Sequence, residues 1–265
     1  MQIVVLVKQV PATDKVKIDE ETGIMIRTAA EAELNPLDLY AVEEAIRVKE
    51  RLPGTEITVI SMGPLTAIYA IREALAMGCD KGCLLSDTAF AGADTLATAR
   101  TISAALKKMG GFDLIFCGER STDGETGQVG PSVAALLDIP VLTYVSRIRE
   151  LRIRDGSIVV ERAVEGGYEV VKCSLPALLS VVKEINEPRI PSLRRKINAK
   201  KAEIILMTSK DIGLDPSSVG LAGSATRVVK VFYSTFSRHG VIVDGKNPEE
   251  AVEQLLRFLR DRKLL

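Results

Sequence analysis

The residues most suited to chemistry lie in one run. Positions 118–131 read Gly-Glu-Arg-Ser-Thr-Asp-Gly-Glu-Thr-Gly-Gln-Val-Gly-Pro, rich in glycine and small hydroxyls. The backbone N–H groups of Gly118 to Val129, including Thr122, Gly124 and Gly127, could wrap phosphate oxygens, helped by the Ser121 and Thr126 hydroxyls and the Gln128 carboxamide. The pattern is neither the Walker loop nor the G-x-G-x-x-G fingerprint. Asp123 and Glu125 oppose a phosphate unless their carboxylates cap amides, and an ordinary solvated strand-to-helix loop has a similar composition, so the residues alone leave both readings open. A second candidate is Asp94-Thr95-Leu96-Ala97-Thr98. Here Thr95 and Thr98 face a ligand at a helix N-terminus, or Asp94 is simply an N-cap. No Ser/His/Asp set and no carboxylate pairing calls for acid–base or nucleophilic catalysis, so no catalytic side chain is assigned.

These loops need a scaffold, and the chain supplies short β-branched runs alternating with helical patterns, the mark of a parallel sheet with covering helices. Ile3–Val7, residues 56–62, 82–85 and 113–117 read as strands. Asn35-Pro36 opens a helix, with Asn able to cap it. In open sheets of this kind ligands sit beyond the carboxyl ends of the strands. That places Leu6 to Gln9, Asn35 to Asp38, Ser61 to Pro64 and the 118–131 loop at one edge. From about 142 to 182 strands follow one another without helices, which predicts a hairpin-like antiparallel extension. Past Glu187 the chain turns basic and irregular, and it ends in an amphipathic helix with Val252, Leu255, Leu256 and Leu259 on one stripe and Asn247 at its cap. The expected organisation is a nucleotide-binding α/β domain over residues 1–189 and a docking loop with an arm over 190–265.

Bulk composition narrows the partners. The 265 residues carry 35 basic and 35 acidic side chains, so no global field favours nucleic acid or a membrane surface. Trp is absent and aromatics make up 4%, which argues against a base-stacking platform. The opening apolar run is too short for a signal peptide, and no stretch approaches a membrane span; a cytoplasmic protein is expected. Cys79, Cys83, Cys117 and Cys173 lack a CxxC pair, and the single His239 cannot build a histidine metal site, so buried reduced thiols and no metal are expected.

Several segments resemble the electron-transfer flavoprotein beta (small) subunits. They are residues 1–10 (MQIVVLVKQV), Asn35-Pro36 with Ala41 to Ala45, Met62-Gly63-Pro64, Ala74 to Asp80, and above all Val160 to Leu179, with Arg162, Glu165-Gly166-Gly167, Glu169 and Pro176. Asn186 to Arg189, Leu193, Lys200-Lys201 and Gly220 to Ser224 continue the likeness, which spans nearly the whole chain. The resemblance implies a Rossmann-like, mainly parallel sheet with helices on both faces, and an arm wrapping an FAD-bearing alpha subunit in a heterodimer. It also implies an adenine nucleotide on this chain: AMP in simple members, a second FAD in electron-bifurcating members, where NADH is the donor. Residues 90–98 and 123–131 look like the bifurcating kind, whose loop is usually written DGDTAQVGP; here Glu125 and Gly127 depart from it, as does Glu119-Arg120-Ser121-Thr122 from the common Arg-Gln-Ala-Ile.

Carried over residue by residue, the resemblance implies that Leu6, Asn35, Asp38 and Met62 line the adenosine end. Asp123 to Val129 hold the phosphates, within the loop that Gly118 and Thr122 begin. Thr95 and Thr98, behind Asp94, approach the ribityl or ring portion. Leu193, with Pro188 and Arg189 in the same loop, would anchor a dehydrogenase. Implied partners are an acyl-CoA dehydrogenase or quinone oxidoreductase and a low-potential acceptor such as ferredoxin.

Overall fold

The run expected to be the first buried strand lies at the middle of the sheet. In the computed structural model, which describes residues 1–12, 17–18, 25–26, 32–229 and 242–265, β1 (Gln2–Leu6) is followed by the short strands β2 (Gln9–Pro11), β3 (Lys17–Ile18), β4 (Met25–Ile26) and β5 (Ala32–Leu34). A regular alternation comes next: α1 (Pro36–Arg51), β6 (Glu56–Met62), α2 (Ile68–Met77), β7 (Lys81–Leu85), α3 (Thr95–Met109), β8 (Leu114–Gly118) and α4 (Val129–Leu137). Strands β9 (Val141–Arg152), β10 (Ser157–Val164), β11 (Gly167–Ser174) and β12 (Ala177–Val181) then run without α-helices between them. After them come α5 (Leu193–Lys201), β13 (Ile204–Met207) and α6 (Pro248–Asp261).

Nine strands form one sheet in the order β11-β10-β9-β12-β8-β1-β6-β7-β13. β1 pairs in parallel with both β6 and β8, and β7 and β13 extend the parallel set. Side chains alternate across β1 as in any strand, and because both faces are covered all of them from Ile3 to Leu6 are apolar and buried. Ile3 and Val5 join α1 and α2 in one core, whereas Val4 and Leu6 join α3 and α4 in the other. The result is a three-layer α/β unit in which β10 alone among the strands of this sheet runs against the others.

Three local expectations change. The antiparallel extension holds for β9, β10 and β11, but β12 runs parallel to both β8 and β9 and lies between them. Only Leu175 and Pro176 separate β11 from β12, so the chain keeps its direction while changing neighbours. β13 is a strand beyond residue 190 that the sequence pattern does not announce; it pairs with β7 through Ile204 to Met207. Neither Asn35 nor Asn247 caps its helix with the side chain. Asn35 has other partners, described below.

The chain divides into two compact units, Met1–Val229 and Lys230–Leu265. In the second, α6 buries none of its residues, and Val252, Leu255 and Leu256 stay exposed. His239 lies outside the described residues. All four cysteines are free thiols; Cys79, Cys83 and Cys117 are buried, and burial pushes the Cys83 thiol up to about 11. No metal-ligating cluster and no helix long and apolar enough to cross a membrane occurs among the described residues.

Candidate functional site

Parallel pairing brings the carboxyl ends of β1, β6, β7 and β8 to one edge, where the loops leaving them meet. The turn after β1 touches the start of α1, and both touch the loop after β8. Lys8 N–H donates to Asp38 Oδ2 at 2.8 Å, and Gly118 N–H donates to Asp38 Oδ1 at 3.1 Å. A Cβ at position 118 would lie 2.5 Å from Asp38 Oδ1 and 2.8 Å from the Leu37 carbonyl carbon, so only glycine admits this approach. Asn35 is fully buried; its Nδ2 donates to the Arg120 carbonyl at 3.0 Å, and its Oδ1 accepts the Thr122 N–H at 3.2 Å. Its own amide donates to the Lys8 carbonyl at 2.8 Å.

Lys8 then crosses to the loop. Its ammonium lies 2.6 Å from Asp123 Oδ1 and 3.4 Å from Ser121 Oγ. Burial pushes the Asp123 carboxyl up, but the Lys8 ammonium and the Ser121 hydroxyl outweigh it and hold the carboxyl below the usual range. The acidic group that opposed a phosphate is thus paired within the protein. Arg120 pairs with its neighbour Glu119. Glu125 and Gly127 take left-handed backbone angles, φ 50° and 63°. Among the described residues the amides of Gly124, Thr126 and Gly127 have no acceptor. At the end of the loop the Thr95 hydroxyl donates to Gln128 Oε1 at 3.2 Å, which joins the loop to the first turn of α3. Val129 then opens α4.

Asp94 is the N-cap of α3: Oδ1 accepts the Ala97 N–H at 2.9 Å, while Oδ2 accepts the Thr226 N–H at 2.8 Å and its hydroxyl at 3.0 Å. Those bonds, the Ala97 amide foremost, hold the carboxyl near 2. Both of its oxygens therefore face protein donors. Thr98 is half-buried on the same turn. The Leu6 side chain is buried in the core under α3 and α4, with half-buried Met62 packed on that cluster, so at the edge both can offer mainly backbone. Two residues lie within the edge stretches expected from the sequence without having been singled out there. Lys8 is one, in the stretch Leu6 to Gln9. Ser61, second from last in β6, is the other: its hydroxyl is buried with no partner among the described residues.

A family model for the electron transfer flavoprotein domain matches residues 22–212. The chain is 46% identical to the electron transfer flavoprotein subunit beta of Thermoanaerobacterium thermosaccharolyticum, with both chains covered in full. The chain belongs to the electron transfer flavoprotein family, among its beta subunits. It is also 42% identical to the caffeyl-CoA reductase-Etf complex subunit CarD of Acetobacterium woodii over both whole chains. Protein FixA of Sinorhizobium fredii is 39% identical over 89% of this chain and 84% of its own length.

Beta subunits of electron transfer flavoproteins pair with alpha subunits, and the family binds flavin or AMP. The donor set here suits such a phosphate-bearing ligand: open amides at Gly124, Thr126 and Gly127, a loop carboxylate already neutralised by Lys8, and the unpartnered Ser61 hydroxyl at the neighbouring strand end. The family-like stretch at 160–179 proves to be β10 to β12, with Arg162 tied to Thr143 through Nε and Nη2 at 3.0 and 2.8 Å. In the 188–193 segment Pro188 is half-buried, and Arg189 is turned inward and forks onto Glu43 and Glu50 of α1. Leu193, the first residue of α5, is 75% exposed beside the fully open Ile190.

Proposed function

We propose that this chain is the beta subunit of a bifurcating electron transfer flavoprotein. With an alpha subunit it forms a cytoplasmic heterodimer, binds FAD along the Gly118–Val129 loop, and takes hydride from NADH. Electrons pass to a low-potential acceptor such as ferredoxin and, through the alpha-subunit FAD, to an acyl-CoA dehydrogenase or a quinone-linked partner. When bound, the flavin supplies the redox chemistry, so no side-chain acid or base is required. The protein's part is to bind and orient. The open amides of the loop and the Thr126 hydroxyl receive the phosphates, and Asn35 and Met62 flank the adenosine end. Thr95 and Thr98 lie toward the ring. The observation that carries this reading is the Thr95–Gln128 contact, which ties the 118–129 loop to the first turn of α3 and so brings the two candidate ligand-facing segments together. Residues 190–265 serve as docking loop and arm against the alpha subunit, which gives the exposed stripe of α6 a cover.

The test is the cofactor content of the complex purified with its alpha subunit. Two FAD and no AMP per heterodimer are expected. One FAD with one AMP would make this chain a structural and docking subunit, and the NADH role would be abandoned. Docking is checked separately. Leu193→Ala should slow electron delivery to the dehydrogenase about 10-fold or more, as loss of an anchoring side chain does, while NADH oxidation by an artificial acceptor is retained. Loss of both activities together would show that Leu193 packs between subunits instead.

A further inference from the structure

Asp38 belongs to the residues expected at the adenosine end, yet both of its carboxylate oxygens face backbone. Oδ2 takes the N–H of Lys8, beyond β1, and Oδ1 takes the N–H of Gly118, at the end of β8. The contacts that hold the loop leave from these same two residues. Lys8 reaches Asp123 and Ser121, and Gly118 is where the loop begins. We propose that Asp38 is a positioning residue for nucleotide binding: its ionised carboxylate ties the ends of β1 and β8 together and so sets the loop for the ligand's phosphates, and protonation of the carboxyl releases loop and nucleotide. This rests on the Gly118–Val129 loop being the nucleotide site.

The reason is one of donors and acceptors. Two N–H groups need two acceptor oxygens, and a carboxylic acid turns one of them into a donor. One amide then loses its partner inside a buried site, and the two strand ends are no longer held from a single side chain. The charged and titratable groups around Asp38 are few. Lys8 supplies an ammonium from the β1 side; Cys117 on β8 supplies a thiol that burial pushes far up and keeps neutral; Asn35 on the α1 side is uncharged. Burial pushes the Asp38 carboxyl up to about 7, further than the Lys8 and Gly118 amides, Asn35 and the Lys8 ammonium pull it down. Near neutrality the carboxyl is therefore close to half ionised, and a ligand that needs the ionised form draws the proton off.

The sign for the fold is the reverse of the sign for the ligand. Because the folded value lies above the unfolded one, ionising Asp38 costs stability as the pH rises from about 4 to about 7. Asp38→Asn, which mimics the neutral acid, is free of that cost but offers only one acceptor.

The experiment uses the full chain purified with its alpha subunit and freed of nucleotide, titrated with AMP by calorimetry at about pH 6 and about pH 8. AMP is the probe because FAD contains it. Its phosphate ionises in the same window, so wild type is compared with Asp38→Asn. Wild type should lose about tenfold more affinity than the variant on going to the lower pH, as one proton at a pKa near 7 dictates. At the higher pH the variant should bind AMP about tenfold more weakly, yet melt at an equal or higher temperature. A purely structural role predicts that melting temperature and affinity fall together. Equal pH slopes would overturn the role of Asp38 while leaving the nucleotide site standing, and absence of AMP binding to wild type would remove the site itself. Should the variant not fold, infrared difference spectra of wild type decide. AMP added at about pH 6.5 should bleach the carbonyl stretch of a buried protonated carboxyl, and an unchanged band overturns the proposal.

Discussion

Replacing Arg189 by alanine should lower the unfolding free energy by about 3 kcal/mol at neutral pH, since removing one partner of a buried ion pair leaves the other charge without compensation. The stranded partner is Glu43, whose side chain is 4% exposed and which receives Arg189 from Nε at 2.8 Å and Nη2 at 3.0 Å. Arg47 stays as a second cation at 3.1 Å, which keeps the loss from being larger. Burial pushes the Glu43 carboxyl up, but Arg189 outweighs it through side chain and backbone amide and holds the carboxyl below its ordinary value. A depressed carboxyl contributes stability above its unfolded pKa and loses that contribution as the pH falls through the folded one. The gap between wild type and variant should therefore narrow below about pH 4. Urea denaturation at neutral and acidic pH measures it, and a gap of equal size at both would assign the effect to lost packing.

The second large effect concerns Lys8. Lys8→Met should weaken AMP binding by about 10- to 100-fold, the range of one charge-assisted hydrogen bond, because Asp123 then stands ionised among the phosphate donors. The cause is separable from simple loss of a cation. In the double variant Lys8→Met with Asp123→Asn, most of the loss should be regained, since the offending carboxylate is gone too. Calorimetry on the four proteins of the cycle measures the coupling. Strictly additive losses would mean that Lys8 acts directly on the ligand and that Asp123 is indifferent.

The central strands and their helices were legible because each carries its own period. Ile3 to Val7 is apolar without a break because both faces of β1 are covered, and Asp94 with Gly110 brackets α3 as a cap and a stop should. β12 was not legible as a parallel strand: a two-residue link after a hairpin suggests reversal, and nothing local says that the chain runs straight on into a new pairing. β13 was hidden for a related reason, since Ile205 and Leu206 lie at a sheet edge and stay exposed, so no burial pattern marks them. In the site, the strand ends could be named from the sequence, but not what each polar side chain does there. Asn35, Asp38 and Asp94 are all polar residues beside a loop. Only the fold reveals that Asn35 holds Arg120 and Thr122, that Asp38 holds two strand ends, and that Asp94 holds Thr226. Their partners lie 30 to 132 residues away along the chain, beyond the reach of any local pattern.

The place of β12 in the sheet has a bearing on how the protein is made. Synthesis delivers β1, β6, β7 and β8 in order, and these can pair as they leave the ribosome. β9, β10 and β11 emerge next, but β9 has no pairing with β8; its only link to the finished strands is β12, which comes last of the group. Until Ala177–Val181 has cleared the exit tunnel, β8 presents an open row of backbone donors and acceptors beside a hairpin that is not yet joined to the sheet. The nascent chain therefore passes through an interval in which an apolar strand edge is available to any other chain, and five residues close it.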